Sequence, residues 1–435
     1  MIHSVVIELA EKFIDLNIEE IITDPKNGSL YFNKLPWEPT VLSFGYPSLI
    51  LFYSQLYQID QNIKWKKIAH KFIEKTLSYF ESGVPKNISM FGGLSGVCFT
   101  IWTLSEEGKH YKKLLGNLDN YFFQILDNKI SNIKNKVFLN TEDYDCIQGL
   151  SGILRYILLR RNENQFSEYA CKIVDILNST ATPIDYQNFS IPKWYLNINE
   201  QLLEQDKIFF ANGSFNLGLA HGATAILAAL SLAKLSGINR KNTELAISNI
   251  TKWILKWKMV DKYGSFWPGR VSFEEEVNQD FSFKNYQINR QAWCYGTPGV
   301  ARSLLLAAKA LSDKDLEFFS VHSFLEIIKR PEEEWQCYSP TFCHGYAGIL
   351  QISKRIYQDT LNPVLLEFIT KLEINLLSFY SKKNPFLFMN IEKNDSDTKK
   401  LNNIGLIEGV VGTALSLLSV DLQDKCFWDQ PFLLV

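Results

Sequence analysis

No run of apolar residues in this 435-residue chain approaches the roughly 18 to 20 needed to cross a bilayer, and charge of neither sign is in excess, with 45 basic side chains against 47 acidic. The first absence argues against a membrane-spanning helix. The second removes the field that would draw nucleic acid or an anionic membrane by charge alone. The N-terminal segment also lacks the uninterrupted apolar core of a signal peptide, because Glu8, Glu11, Lys12 and Asp15 recur among apolar residues at helical spacing from Met1 to Leu16. It reads as a surface helix of a soluble, intracellular protein. Cysteine is sparse and odd in number, seven residues scattered from Cys98 to Cys426, which argues against a disulfide framework. These cysteines are free thiols, ligands or core residues.

What is present in quantity is buried-type side chain, 46% hydrophobic and 14% aromatic, enough for one large core or two ordinary ones. The most informative pattern is an internal repeat: a short Gly-x-x-Gly element followed by a strongly apolar stretch. Its copies begin at Gly45, Gly93, Gly149, Gly222, Gly296, Gly345 and Gly409, with Ser48 and Ala225 replacing the second glycine in the first and fourth. Small residues let a backbone turn sharply into a helix and pack closely against its neighbour. The stretches that follow, such as Ile153 to Leu159, Ile226 to Leu235 and Val300 to Leu311, are apolar on most faces and must be buried. Between them lie amphipathic segments: Trp65 to Tyr79, Tyr111 to Ile125, Phe166 to Leu177, Thr243 to Trp257, Leu316 to Ile328 and Pro363 to Tyr380. One half-exposed helix alternating with one buried helix, seven times over, predicts an all-α fold, an α/α toroid of seven helical hairpins. The repeat glycines would then cluster on one rim. Residues 1–435 are expected to form a single such domain, with strand-containing extensions at 179–216 and 260–292, where Pro, Gly and Asn interrupt β-branched and aromatic residues.

Those extensions precede the motifs richest in chemistry. Cys294 stands two residues before Gly296, and Cys343 with His344 stands directly before Gly345. On a shared rim, two thiolates and one imidazole form a soft ligand set suited to tetrahedral Zn²⁺, with a fourth position left open. A lone Cys or His is more often a core residue; equivalent placement in the repeat argues otherwise here. A closed structural site would need a fourth ligand, and Cys337 matches no repeat position. His221, directly before Gly222, is either that fourth ligand or an acid/base whose pKa near neutrality suits proton transfer. Asp145, four residues before Gly149, either orients this imidazole or is a solvated loop carboxylate. Arg290 either stabilises a developing enolate or pairs with an acid of the Glu274-Glu275-Glu276 run. Cys98, Cys146, Cys171 and Cys426 read as core or surface thiols, and His3, His70, His110 and His322 carry no assigned role.

The motifs Asp-Tyr-Asp with Gly-Leu-Ser-Gly at 143–152, Leu-Gly-Leu-Ala-His-Gly at 217–222, Trp-Cys-Tyr-Gly at 293–296 and Cys-His-Gly at 343–345 resemble those of the lanthionine synthetase C family, in order and spacing, over essentially the whole chain. The resemblance implies a zinc-dependent lanthionine cyclase of lantibiotic biosynthesis. Such an enzyme adds precursor-peptide cysteine thiols across dehydroalanine or dehydrobutyrine to close thioether rings. It further implies Cys294, Cys343 and His344 as zinc ligands, His221, Asp145 and Arg290 as active-site groups, and partnership with a dehydratase and a peptide ABC exporter. The cytoplasm, at the inner face of the membrane through that complex, is the implied location. Three rival readings share these residues: addition of glutathione or another free thiol to dehydrated residues, zinc-assisted thiol alkylation of the prenyltransferase kind, and a non-catalytic scaffold with structural zinc.

Overall fold

In the computed structural model, residues 2–31, 34–83, 85–201, 204–281, 290–394, 396–418 and 427–435 are described. Fourteen long helices follow one another among them: α1 (Ile2–Asp15), α2 (Tyr46–Asp60), α3 (Ile63–Ser78), α4 (Leu94–Leu104), α5 (Lys112–Lys134), α6 (Leu150–Leu159), α7 (Asn164–Thr180), α8 (Ala223–Leu235), α9 (Thr243–Lys256), α10 (Thr297–Leu311), α11 (Lys314–Leu325), α12 (Tyr346–Thr360), α13 (Pro363–Ser378) and α14 (Val410–Leu418). The even-numbered helices are the apolar ones that follow the repeat glycines, and α4 buries every one of its residues. The odd-numbered helices bury one stripe: α3 turns Trp65, Ile68, Ala69, Ile73 and Thr76 inward, and α7 does the same with Phe166, Tyr169, Ala170, Ile173, Val174 and Leu177. This is the spacing of three and four that makes a helix amphipathic. No helix of the described residues is long and apolar enough to cross a membrane.

The chain divides into two compact units, one of residues 1–125 with 337–429 and the other of residues 126–336 with 430–435. In the first, α2 packs on α3 and on α4, α12 on α13, and α1 and α2 both meet α14. A buried ion pair at the end of α12, Arg355 to Asp429 at 2.6 Å, ties the C-terminal segment down. In the second, α6 packs on α7 and α8, and α8 on α10, while α10 packs on α11. The last residues of the chain thread into this unit: Arg302 donates to the Leu434 carbonyl, and the Trp293 indole donates to that of Phe432 at 3.0 Å.

The strands fall where turn residues interrupt the helical rhythm. A hairpin of β1 (Ile184–Tyr186) and β2 (Phe189–Ile191) is followed by β3 (Tyr195–Leu196) and β4 (Ser214–Asn216). Next come a second hairpin, β5 (Met259–Asp261) with β6 (Gly264–Phe266), and β7 (Arg270–Ser272). β3, β4 and β7 form one antiparallel sheet, with Phe215 opposite both Tyr195 and Val271. These elements occupy the two expected extensions; residues 282–289 of the second lie outside the described residues, as does Cys426. The first unit carries a strand pair with no sequence forewarning, β8 (Asn390–Lys393) and β9 (Thr398–Leu401).

The repeat glycines begin the even-numbered helices because the loop before each helix folds back on its first residue. At Gly222 an added Cβ would lie 2.5 Å from the Asn216 carbonyl oxygen. Gly296 adds a left-handed φ of +94° to a Cβ position 1.7 Å from the Arg290 carbonyl, so no other residue fits there without strain.

Candidate active site

In the second unit the loops that precede α6, α8 and α10 are stitched side by side by their backbones. Cys146 N–H donates to the Ala220 carbonyl at 3.1 Å, and Ala220 N–H donates to the Cys294 carbonyl at 3.3 Å. The three motif positions Asp145, His221 and Cys294 therefore sit on adjacent strands of loop.

Asp145 is 1% exposed, which excludes a solvated loop carboxylate. Its Oδ1 accepts the backbone N–H groups of Gln148 at 2.6 Å and Gly149 at 2.7 Å, as the sharp turn into α6 requires. Its Oδ2 lies 2.6 Å from His221 Nδ1. With Asp145 already an acceptor on its other oxygen, the imidazole carries its proton on Nδ1 and donates it, leaving Nε2 as the exchanging nitrogen. The His221 side chain is 25% exposed and so reachable by a substrate, while the carboxylate behind it is not.

Cys294 is buried, and its loop is held by Trp293, whose ring meets Phe432 edge-on at 5.0 Å. Tyr295 beside it accepts a hydrogen bond from Asn216 Nδ2 at 2.9 Å, and the Asn216 Oδ1 in turn accepts Gly218 N–H. Burial raises the Tyr295 phenol above its ordinary value. Arg290 is half-buried at the start of the same loop. Within the 274–276 run, Glu274 accepts from Asn212, Glu275 forms a capping box with Ser272, and Glu276 accepts from the indoles of Trp253 and Trp257 and from Lys256. Burial pushes the Cys146 thiol well up, and it donates to the Pro431 carbonyl at 3.2 Å, as a core thiol does.

In the first unit, Cys343 and His344 precede α12. The loop before α14 lies against them, Cys343 N–H donating to the Ile407 carbonyl at 2.9 Å. That contact brings in Glu408. Ligand atoms of Cys343, His344 and Glu408 all lie within 4.8 Å of one another, with His344 Nδ1 and Glu408 Oε1 3.8 Å apart. Thiolate, imidazole and carboxylate are the three donors zinc takes from proteins, and two ligands of a tetrahedral zinc ion sit roughly 3.3–3.8 Å apart. The donors fit zinc in kind, and they lie close enough together to converge on one ion with small side-chain adjustments. Cys337 is buried and donates to the His344 backbone carbonyl at 3.6 Å, so it buttresses the loop.

Glu408 was absent from the residues singled out in the sequence. The signal was available: it stands directly before Gly409, the register that His221 holds before Gly222 and His344 before Gly345.

Motif loops at the starts of buried helices, in a chain of alternating apolar and amphipathic helices, are the features that the sequence repeat leads one to expect. The chain belongs to the family of lanthionine synthetase C-like proteins, whose model matches residues 36–433. Among its relatives is the nisin biosynthesis protein NisC of Lactococcus lactis subsp. lactis, 26% identical over 98% of this chain and 97% of that protein. A solved nisin cyclase structure superposes with a TM-score of 0.79 at 24% identity, covering 97% of this chain and 98% of the other. The fold class read from the repeat, an α/α toroid with short strand-containing insertions, is the one this likeness gives.

Proposed function

We propose that the chain is a zinc-dependent lanthionine cyclase, adding the cysteine thiols of a dehydrated precursor peptide to dehydroalanine and dehydrobutyrine and so closing lanthionine and methyllanthionine rings in lantibiotic biosynthesis. The reaction class, carbon–sulfur bond formation within a peptide, is that of the family. The observation that carries the reading is the Asp145–His221 pair: a buried carboxylate holding the tautomer of a solvent-reachable imidazole.

Cys294, Cys343 and His344 are the proposed zinc ligands, by residue-for-residue agreement with the family motifs. Zinc bound there would lower the pKa of a substrate thiol, about 8.5 when free, and so supply a thiolate nucleophile near neutral pH. The work of the protein's own groups is proton handling. Addition of sulfur to the β-carbon forms one C–S bond and moves the alkene electrons toward the α-carbon and its carbonyl, leaving an enolate. The proton released when the substrate thiol becomes a thiolate is taken up at His221 Nε2, and Nε2 then delivers it to the α-carbon, so the addition needs no net proton. Asp145 keeps Nδ1–H occupied and stabilises the imidazolium from which the proton leaves. Arg290 is assigned to the developing enolate oxygen, where a guanidinium donates charge-assisted hydrogen bonds. The peptide partner follows from the family. The dehydratase, the ABC exporter and a cytoplasmic site of action at the inner membrane face are carried by the resemblance alone.

The test uses the purified, zinc-loaded chain with a dehydrated precursor peptide, followed by alkylation of remaining thiols and mass spectrometry. Each ring closed removes one alkylatable thiol without changing the peptide's mass. Thiols that remain alkylatable, with glutathione adducts appearing only when glutathione is supplied, would establish the free-thiol reading instead. No reaction with either nucleophile would leave the scaffold reading.

A further inference from the structure

The end of α5 and one side of α7 enclose a depression of about 350 Å³ in the second unit, lined by none of the residues assigned above. Its wall on α7 is a single helical stripe, Lys172, Asp175, Ile176 and Ser179, at spacings of three and four. The last turn of α5 supplies Ile133 and Lys134, and the chain just beyond adds Lys136 and Leu139. Leu139 N–H donates to the Lys193 carbonyl at 3.0 Å, which draws Lys193 onto the same rim. Ile133 and Leu139 are buried and make the floor apolar. The charges around this floor do not balance. Lys136 Nζ donates to both Asp143 oxygens at 2.8 and 2.7 Å, Lys172 pairs with Glu168 at 2.7 Å, and Arg240 holds the Asp175 carboxylate with two nitrogens. Lys134 and Lys193 have no acidic partner within ion-pair distance among the described residues. The helix dipole accounts for a cation at the end of α5, as Lys134 is, but not for Lys193, which lies in a loop. Two charges are too few for a nucleic-acid backbone, and a recess does not match the plane of a membrane. The volume does fall within the roughly 300–1,000 Å³ of small ligand sites.

We propose that this depression docks a short acidic segment of the peptide substrate, with carboxylates on Lys134 and Lys193 and an apolar side chain between them on Ile133, Leu139 and Ile176. This rests on the peptide-cyclase reading above and deepens it by giving the chain a second hold on its substrate. The link to the chemistry is Lys136. Its partner Asp143 closes the capping box of the short helix Thr141–Tyr144, and that helix ends at Asp145, the residue that holds His221. A peptide docked on this rim is tethered beside the element that carries Asp145, and tethering raises the effective concentration of its cysteines. Binding of this kind holds substrate and transition state alike, so it acts on KM and not on the chemical step.

The experiment reads binding first and turnover second. A fluorescein-labelled peptide with a leucine between two aspartates, and with no cysteine or dehydro residue, is titrated with the full chain while its anisotropy is followed. Control peptides replace both aspartates by asparagine, or the leucine by serine. The protein variants are Lys134→Glu with Lys193→Glu, and Lys134→Arg with Lys193→Arg. Circular dichroism checks folding, and Lys134→Gln with Lys193→Gln covers failure of the charge reversal to fold. The wild type should bind the aspartate peptide saturably, the Glu pair about tenfold more weakly, and the Arg pair within about threefold of wild type because it keeps the charge. Both control peptides should bind about tenfold more weakly, and about 0.5 M salt should weaken the aspartate peptide. Absence of saturable binding would overturn the proposal. So would equal binding of either control peptide, unchanged binding by the Glu pair, or inorganic phosphate that competes as well as unlabelled peptide. With dehydrated precursor, the Glu pair should show a raised KM and an unchanged kcat. A chain that binds the aspartate peptide as expected but closes no rings fails the cyclase reading and keeps the docking site. Rings closed with equal KM by wild type and the Glu pair fail the docking site alone.

Discussion

The Asp145 carboxylate accepts from three groups, and substitution can separate them. In Asp145→Asn the amide oxygen can still accept from Gln148 N–H and Gly149 N–H, so the turn into α6 keeps its geometry. The amide nitrogen, however, would face His221 Nδ1 as a donor where an acceptor stood. The imidazole then moves its proton to Nε2 and loses the partner that stabilises its charged form. Cyclisation rate should fall by about 10²–10⁴-fold, the usual worth of a positioned acid/base, with metal content and melting temperature little changed. Stopped reactions analysed by thiol alkylation would measure this, and an unchanged rate at saturating peptide would remove Asp145 from the mechanism. As candidates, His221, Cys343 and His344 were legible because those residue types are scarce and fall in register with the repeat. Glu408 was not, because acidic residues are common in loops and only its register marks it. The burial of Asp145 was hidden for a related reason: nothing local distinguishes a carboxylate that caps a turn from one in water.

At the scale of elements, the helix starts carry the strain. Gly296 combines a conformation closed to side chains with backbone contact against Arg290, so Gly296→Ala should cost about 1–3 kcal/mol from conformation alone. Relief of the collision would shift the Arg290 to Cys294 segment, and activity should fall together with thermal stability. A melting curve unchanged from wild type would show that the loop yields freely. A second element-scale device is electrostatic. In the first unit the short helix Ile18–Ile22 is fastened through Glu19 to the hydroxyls of Tyr46 and Tyr79, the latter at 2.9 Å, and to Lys75 at 3.4 Å. The Tyr46 phenol, ahead of an opposing effect of burial and assisted by Tyr79 and Lys75, holds the Glu19 carboxyl below its ordinary value of 4.5. A group depressed on folding stabilises the fold fully above its unfolded pKa and loses that contribution as pH falls through the folded one. Glu19→Gln should therefore flatten the acid side of the stability–pH curve below about pH 5 and lower stability at neutral pH only modestly, since the site is half exposed. Urea midpoints across that range decide it; parallel curves for the two proteins would contradict it. The β8–β9 pair escaped sequence reading because the buried positions of β8 are polar. Asn390 and Glu392 turn inward and are met by Ser339 and Ser29, so the alternation of apolar and polar residues that announces a strand is missing.

For the whole molecule, the repeat was readable because glycine recurs at a fixed place before each buried helix, and a helix apolar on all sides has nowhere to go but inward. The same feature bears on the proposed zinc. Each unit has its own apolar interior built from helices such as α4, buried throughout, and α8, buried from Ala223 to Ala233. Stability should therefore come from packed side chains, unlike small zinc modules that cannot fold without their ion. The central claim is that the metal serves chemistry and not folding. It is tested most directly by zinc content, circular dichroism and product thiol count measured together on Cys294→Ala, Cys343→Ala and His344→Ala. The account predicts soluble, fully helical proteins that hold little zinc and leave the dehydrated peptide with free thiols and intact alkenes. Variants that unfold as they lose metal, or that close every ring without it, would contradict it.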